Sequence, residues 1–365
     1  METFFFAVGG TGGHLFPAQI LVKEMLKKRS NISIWLVGKG LSKSPFIWDE
    51  IKRHPSVTCL EVSSATFSKN PLKMVRALAL LSFGALKALY WTLKIWPKSV
   101  VGFGSFYSVP TLIAAAACRR PIYLYECDLK PGIANRLFYP LARKIGLCFY
   151  PKHPPKCAVR IDPLIKKEQV PKEEALAYYG LSPNKKTLLV FGGSQGAQFI
   201  NELMEAIAGQ MASWTKSWQI VHLVGKSSNC SALKKAYADV GFEAAVRRFE
   251  TKMPYAWALA DLAVCRAGSG TLLELIEANV PSVLIPYPYA YKHQMLNALF
   301  MVSIGASKLL KQEDASSEAF LNLLTMMSSS EQMQKRIKAI HQYKQQEKGT
   351  HFVDLVVEPM QENAL

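Results

Sequence analysis

The chain has 365 residues, half of them apolar, and carries 44 Lys plus Arg against 27 Asp plus Glu, a formal charge of +17. The apolar content excludes a disordered chain, and the length exceeds what one hydrophobic core usually serves, so two domains are expected. So positive a field calls for an anionic partner, which leaves nucleic acid, nucleotide substrates and an anionic membrane face as the classes to separate.

Thr3 to Val8 is a short apolar, β-branched and aromatic run, a predicted strand. It ends in Gly9-Gly10-Thr11-Gly12-Gly13-His14, after which a helical pattern with Pro17 in its first turn continues to Arg29. Ile32 to Val37 follows as a second buried strand and closes a βαβ unit of the usual right hand. No basic segment precedes the first apolar run, so no secretory signal is expected.

Asn70 to Trp96 predicts a long helix, apolar enough to look membrane-spanning, yet it contains Lys73, Arg76, Lys87 and Lys94. At about 100° per residue these four fall within roughly a sixth of the helical circle, beside Leu80, Phe83 and Trp91. Spanning with four cations is costly, so attachment to an anionic membrane surface is expected; the alternative is a core helix with a solvated basic stripe.

Pro151-Lys152-His153-Pro154-Pro155 suits an interdomain connection. Thr187 to Phe191 then repeats the opening pattern, running into Gly192-Gly193-Ser194-Gln195-Gly196-Ala197 and a helix from Gln198. Predicted strands at Gln219 to Val224, Leu262 to Cys265 and Ser282 to Pro286 alternate with helical segments, so the second half also reads as doubly wound α/β. From Glu331 the chain is polar and helical. The seven scattered cysteines contain no Cys-x-x-Cys pair and read as reduced residues, neither a disulfide framework nor a metal site. No zinc-finger spacing or RNP-like motif supports a nucleic-acid partner, and none is expected.

A glycine loop between a strand and a helix presents unpaired N–H groups beside the positive end of the helix dipole, a ready phosphate cradle. The dinucleotide fingerprint fails, because Leu15 stands where its third glycine belongs and the second strand ends in Gly38-Lys39 without an acid. The Walker pattern fails as well: Gly225-Lys226-Ser227 has the right ending, but Ile220 occupies the place of its first glycine. A third loop, Arg266 to Glu274, also follows a strand; its Thr271 and Glu274 have capping-box spacing, so Glu274 is either a helix cap or a ligand-binding carboxylate. Three phosphate-type loops without a cofactor fingerprint suggest a nucleotide sugar on one half and a phosphorylated acceptor on the other.

Gly9 to His14 with Phe16-Pro17-Ala18, Gly102-Phe103-Gly104, Glu126 with Pro131-Gly132 and Asn135-Arg136, Gly192 to Ala197, Arg266-Ala267-Gly268 with Thr271 and Glu274, and His293-Gln294 with Asn297-Ala298 together resemble the MurG family of cell-wall glycosyltransferases. The resemblance runs over nearly the whole chain. It implies the GT-B form of the α/β class, two Rossmann-like doubly wound domains facing an interdomain cleft. Residues 1–162 would bind the acceptor and associate with the membrane, residues 163–340 would bind UDP-GlcNAc, and residues 341–365 would form a C-terminal helix packing back on the first domain.

The implied reaction is inverting transfer of N-acetylglucosamine from UDP-GlcNAc to the 4-hydroxyl of MurNAc in lipid I, the undecaprenyl-diphosphate-linked MurNAc-pentapeptide, giving lipid II for peptidoglycan synthesis. It needs no metal and no cofactor, and the sequence has no Asp-x-Asp motif. Its place is the cytoplasmic face of the inner membrane, as a peripheral protein, with other cell-wall synthesis proteins as further partners. By the same resemblance Glu274 holds ribose hydroxyls, Ser194 and the Gly192 to Ala197 loop with Gln195 and Gly196 meet the donor phosphate, Gln294 with His293 addresses the GlcNAc hydroxyls, and Ser269, Gly270 and Thr271 are further donor-binding residues. Gly10, Thr11, Gly12, Gly13, Gly104, Ser105, Asp128 and Asn135 serve the acceptor, with His14 as candidate base and Glu126 as a second catalytic candidate.

Two segments depart from the family pattern: Glu126-Cys127-Asp128 replaces Glu-Gln-Asn, and Asp162-Pro163-Leu164-Ile165 replaces Asn-Pro-Val-Arg. Lys166 follows the second and can supply charge to the donor, but not a bidentate fork. A diacylglycerol galactosyltransferase on the same fold and a non-catalytic nucleotide-sugar-binding subunit are the alternatives.

Overall fold

The computed structural model describes every residue except 10, 11, 43, 45, 67–69, 194, 195, 226–229, 289–292 and 358–365. The chain divides into two units, Met1–Ile165 with Lys348–Leu365, and Lys166–Glu347.

The first unit is built on seven strands, β1 (Glu2–Gly9), β2 (Ile32–Lys39), β3 (Val57–Glu61), β4 (Ser99–Gly102), β5 (Ile122–Glu126), β6 (Ala142–Leu147) and β7 (Ala158–Arg160). They pair in parallel in the order β3-β2-β1-β4-β5-β6-β7. Helices α1 (Gly12–Lys28), α2 (Asp49–Lys52), α3 (Pro71–Ile95), α4 (Val109–Ala117) and α5 (Ile133–Phe138) connect them. A central parallel strand is covered on both faces and must be apolar on both, and Phe4, Phe5 and Phe6 of β1 are fully buried.

The second unit carries β8 (Lys186–Phe191), β9 (Trp218–Leu223), β10 (Ala244–Arg247), β11 (Ala260–Cys265), β12 (Ser282–Leu284) and β13 (Ser307–Leu309), parallel in the order β10-β9-β8-β11-β12-β13. Its helices are α6 (Lys172–Tyr179), α7 (Gln198–Ile207), α8 (Cys230–Asp239), α9 (Met253–Leu259), α10 (Ser269–Ala278), α11 (His293–Ser303), α12 (Ser317–Ser328) and α13 (Ser330–Gln346). α13 stays with this unit, and the chain returns to the first from Lys348. There Ile161 bridges Thr350, and the last described helix, α14 (Phe352–Val357), sets Phe352 against Tyr125 with ring centroids 5.7 Å apart.

The proline stretch 151–155 is not the connection between units. It turns the chain into β7, an edge strand of the first sheet, and the crossing follows at Ile165 and Lys166. Proline excludes the sheet ladder in any loop, so it marks a break without saying whether a domain ends there. β7 has only three residues and leaves no periodic signal.

α3 begins after Asn70, whose side chain accepts from the Lys73 backbone N–H, and ends at Trp96 in the left-handed conformation. Its buried residues, Ala77, Leu81, Gly84, Ala88 and Thr92, form one narrow line. The side turned away is apolar too: Leu72, Val75, Phe83, Leu86, Tyr90 and Leu93 are exposed, Leu72 by 82%. Lys73, Arg76, Lys87 and Lys94 are exposed along its flank. Of the apolar residues expected beside these cations, Phe83 is exposed, whereas Leu80 and Trp91 are half-buried and Trp91 packs on Trp35 at 5.4 Å. Among the described residues no helix is long and apolar enough to cross a membrane.

Candidate active site

In open parallel sheets the binding crevice lies at the carboxyl ends of strands where the strand order reverses. In the first unit that point falls between β1 and β4, so the loop entering α1 and the Gly102 to Ser105 turn are neighbours. In the second it falls between β8 and β11, so Gly192 and Gly193 after β8 neighbour Arg266 to Ser269 after β11. Gly10, Thr11, Ser194 and Gln195, expected in these loops, lie outside the described residues.

α1 starts at Gly12, so Gly12, Gly13 and His14 form its first turn, where N–H groups lack intrahelical acceptors. His14 Nδ1 lies 2.8 Å from the Phe103 carbonyl oxygen. A carbonyl only accepts, so Nδ1 carries the proton and Nε2 of the neutral ring keeps its lone pair. Burial depresses the imidazole pKa, opposed by the Phe103 hydrogen bond and the Asp128 charge. Gly104, with φ +83°, closes this pocket: a Cβ there would meet His14 Nδ1 at 3.4 Å and Asn135 Nδ2 at 3.6 Å. Ser105 shares the left-handed conformation at φ +70°.

Asn135 and Asp128 enter through Glu126, the buried last residue of β5. Its Oε1 accepts from the Asp128 N–H at 3.1 Å; its Oε2 accepts from the Gly132 N–H at 3.1 Å and from Asn135 Nδ2 at 3.2 Å. Burial, then the Asp128 charge, raise its pKa to about 8 against these three donors. Both oxygens of this catalytic candidate are thus engaged by the loop that follows β5, and Glu126 holds the turn from Asp128 to Asn135.

In the second unit Gly196, at φ +78°, lets the Gly192 loop fold against the end of β9: a Cβ on it would sit 2.6 Å from the Gly225 Cα. Gly196 and Ala197 immediately precede α7. α10 is capped by Gly268 with no side-chain cap, so Thr271 lies within the helix and the capping-box reading of Thr271 and Glu274 fails. Ser269, Gly270 and Thr271 make the first turn of α10, and Glu274 lies in the second. Trp257 Nε1 donates to Glu274 Oε2 at 3.3 Å. Burial pushes the Glu274 carboxyl up to about 7, while Trp257 and the Lys166 charge pull it down.

Arg266 is buried and donates to the Ile285 and Pro286 carbonyls, both at 3.1 Å, and Asn297 Nδ2 donates to the Ala267 carbonyl at 2.9 Å. These bonds hold the turn before α10. His293 opens α11, and the Oε1 of Gln294 accepts from the Tyr287 N–H at 2.9 Å, a bond that does not engage its amide NH2. Trp257 and Tyr287 carry no motif in the sequence, and Phe103 enters it only within Gly102-Phe103-Gly104, with no role of its own. Each sits in an apolar run and reads there as core.

Two parallel α/β units, each with glycine turns at its switch point, define a two-domain glycosyltransferase of the GT-B fold. Residues 4–147 match the N-terminal domain of glycosyltransferase family 28, and residues 187–352 its C-terminal domain. The chain is 38% identical to the UDP-N-acetylglucosamine–N-acetylmuramyl-(pentapeptide) pyrophosphoryl-undecaprenol N-acetylglucosamine transferase of Protochlamydia amoebophila, over 98% of this chain and 96% of that one. It is 33% identical to the enzyme of the same name from Chlamydia pneumoniae, over 96% and 97%. In fold it is similar to Acinetobacter baumannii MurG, with TM-score 0.76 at 22% identity over 99% and 100% of the two chains. The calicheamicin glycosyltransferase CalG4 is similar with TM-score 0.69 at 14% identity, over the whole of both chains. The chain belongs to glycosyltransferase family 28 and, within it, to the UDP-N-acetylglucosamine–N-acetylmuramyl-(pentapeptide) pyrophosphoryl-undecaprenol N-acetylglucosamine transferases.

Proposed function

We propose that this chain transfers N-acetylglucosamine from UDP-GlcNAc to the 4-hydroxyl of the MurNAc unit in undecaprenyl-diphosphate-linked MurNAc-pentapeptide, with inversion at the anomeric carbon. The observation that carries the chemistry is the His14 imidazole, neutral and oriented with Nε2 free to accept a proton beside a glycine turn suited to the acceptor diphosphate. The 4-hydroxyl oxygen bonds to the anomeric carbon, its proton passes to Nε2, and the bond from that carbon to the β-phosphate oxygen breaks as UDP leaves. The N-terminal turns of α7 and α10 stabilise the charge on the departing diphosphate.

In this reading Gly12, Gly13, Gly104, Ser105, Asp128 and Asn135 serve the acceptor, with Glu126 holding their loop. Gly196, Ser269, Gly270 and Thr271 meet the donor diphosphate, Glu274 the ribose diol, and the Gln294 amide with His293 the sugar hydroxyls. Lys166 adds positive charge near Glu274. A carboxylate facing two vicinal hydroxyls accepts two hydrogen bonds, and charge-assisted bonds are the strong ones.

The protein attaches peripherally to the cytoplasmic face of the inner membrane, where a nucleotide sugar and a lipid-linked acceptor meet. The exposed apolar side of α3, flanked by its four cations, supports this, as do Ile113, Ile133 and Leu137 on α4 and α5, which pack on the same side of the sheet. Transfer of labelled GlcNAc onto a lipid I analogue tests the activity. A β-linked disaccharide on the lipid is expected; galactosylation of diacylglycerol from UDP-galactose, with no GlcNAc transfer, would overturn it.

A further inference from the structure

Glu274 is awkwardly placed for a carboxylate. It is half-buried in the second turn of α10, it takes no part in capping that helix, and its surroundings resist its charge. Among the described residues the one side chain donating to it is Trp257. The indole nitrogen only donates, so the contact has a single polarity: it favours the ionised carboxylate and holds one of its two oxygens. Trp257 is itself fixed. Its ring stands edge-on to Phe191, with centroids 5.5 Å apart and planes at 82°, and Phe191 is the last residue of β8, immediately before the Gly192 turn. The loop that opens α7 and the carboxylate on α10 are therefore referenced to one indole.

We infer that Trp257 is a positioning residue for nucleotide recognition: by engaging Glu274 Oε2 it fixes the carboxyl plane and presents the second oxygen to the vicinal diol of a ribonucleoside diphosphate. This rests on the donor-site reading given above and extends it to a residue outside the loops named there. The titratable groups facing Glu274 are Lys166, which favours its charge, and the buried Cys265 thiol, whose own titration Glu274 pushes upward. Loss of the indole N–H removes one of the two influences that hold the Glu274 pKa down, so the pH below which ribose recognition fails should move up.

The test uses the full chain with UDP and 2′-deoxyuridine diphosphate as probes, titrated calorimetrically from acid to mildly alkaline pH. Trp257→Phe keeps a ring against Phe191 and deletes the N–H; benzothienylalanine introduced at 257 is a second variant, close to indole in shape and also without the donor. The expected result in both is a loss of about tenfold in the preference for UDP over the deoxynucleotide, an upward shift of the pH midpoint for UDP binding, and nearly unchanged affinity for the deoxynucleotide. The preference is a ratio measured on one sample, so a partly unfolded variant still reports it. Glu274→Gln separates the two readings. If it abolishes the preference while both Trp257 variants keep wild-type values, the role of Trp257 is overturned and the donor site stands. If Glu274→Gln also leaves the preference intact, the ribose assignment itself falls.

Discussion

His14 on the first turn of α1 and Phe103 after β4 are 89 positions apart, yet the imidazole Nδ1 and the Phe103 carbonyl oxygen are 2.8 Å from each other. The bond settles the ring's tautomer and directs Nε2 away from the protein's own acceptor. His14→Ala is expected to lower kcat by roughly 10² to 10⁴-fold, the usual scale of general acid–base help, with UDP affinity unchanged because the nucleotide loops belong to the other unit. Burial keeps the imidazole below its ordinary pKa of 6.5, so the acid limb of the wild-type rate profile should fall below that value. Steady-state rates across pH check both. Turnover within a few-fold of wild type removes His14 from the mechanism.

Glu126 satisfies three donors with two oxygens, and an amide cannot do the same. Glu126→Gln turns an NH2 group toward at least one N–H and frees the Asp128 to Asn135 turn. An unsatisfied buried group costs about 1–3 kcal/mol, so a rise in acceptor KM of about tenfold or more is expected, with UDP affinity unaltered. A large fall in kcat at unchanged acceptor KM would instead restore Glu126 to proton transfer.

The outward side of α3 should carry membrane binding. Replacing Phe83 and Leu86 with Ser removes exposed apolar surface without touching the buried line of Ala77, Leu81, Gly84 and Ala88. Reversing Arg76, Lys87 and Lys94 to Glu acts on charge alone, at about 1 kcal/mol per residue near an anionic leaflet. Both sets should release the protein from anionic vesicles in a flotation assay while leaving UDP binding intact. Undiminished flotation would make the helix an ordinary packed element with a solvated stripe.

His222 on β9 sits between Tyr237, 2.8 Å from Nδ1, and Asn201, 3.1 Å from Nε2, wholly buried. Burial depresses its pKa from 6.5 to about 3. The folded-state value lies below the unfolded one, so the unfolded chain binds the extra proton. Stability from this residue is complete above the unfolded value and is lost as pH falls from 6.5 toward 3, at up to about 1.4 kcal/mol per pH unit. Urea midpoints should drop between about pH 7 and pH 5 in the wild type and drop less in His222→Gln. Equal slopes would show that other groups govern the acid response.

The sequence by itself determined the two doubly wound halves and the places of their loops, because each strand, glycine turn and helix start is written within a dozen neighbouring residues. Gly9 to His14, Gly192 to Ala197 and Arg266 to Glu274 could be read as phosphate-type turns for that reason. Tertiary structure alone decided what meets in those turns. The tautomer of His14 depends on Phe103, reached only because β4 lies beside β1; Glu274 is not a cap because α10 starts at Ser269, and its carboxylate meets Trp257, which comes from another helix. Trp257 and Trp91 have the same local signature, an aromatic in an apolar helical run, yet one donates to a carboxylate and the other packs on Trp35. Periodicity records only which way a residue faces, whereas strand order and packing decide which distant residue it faces.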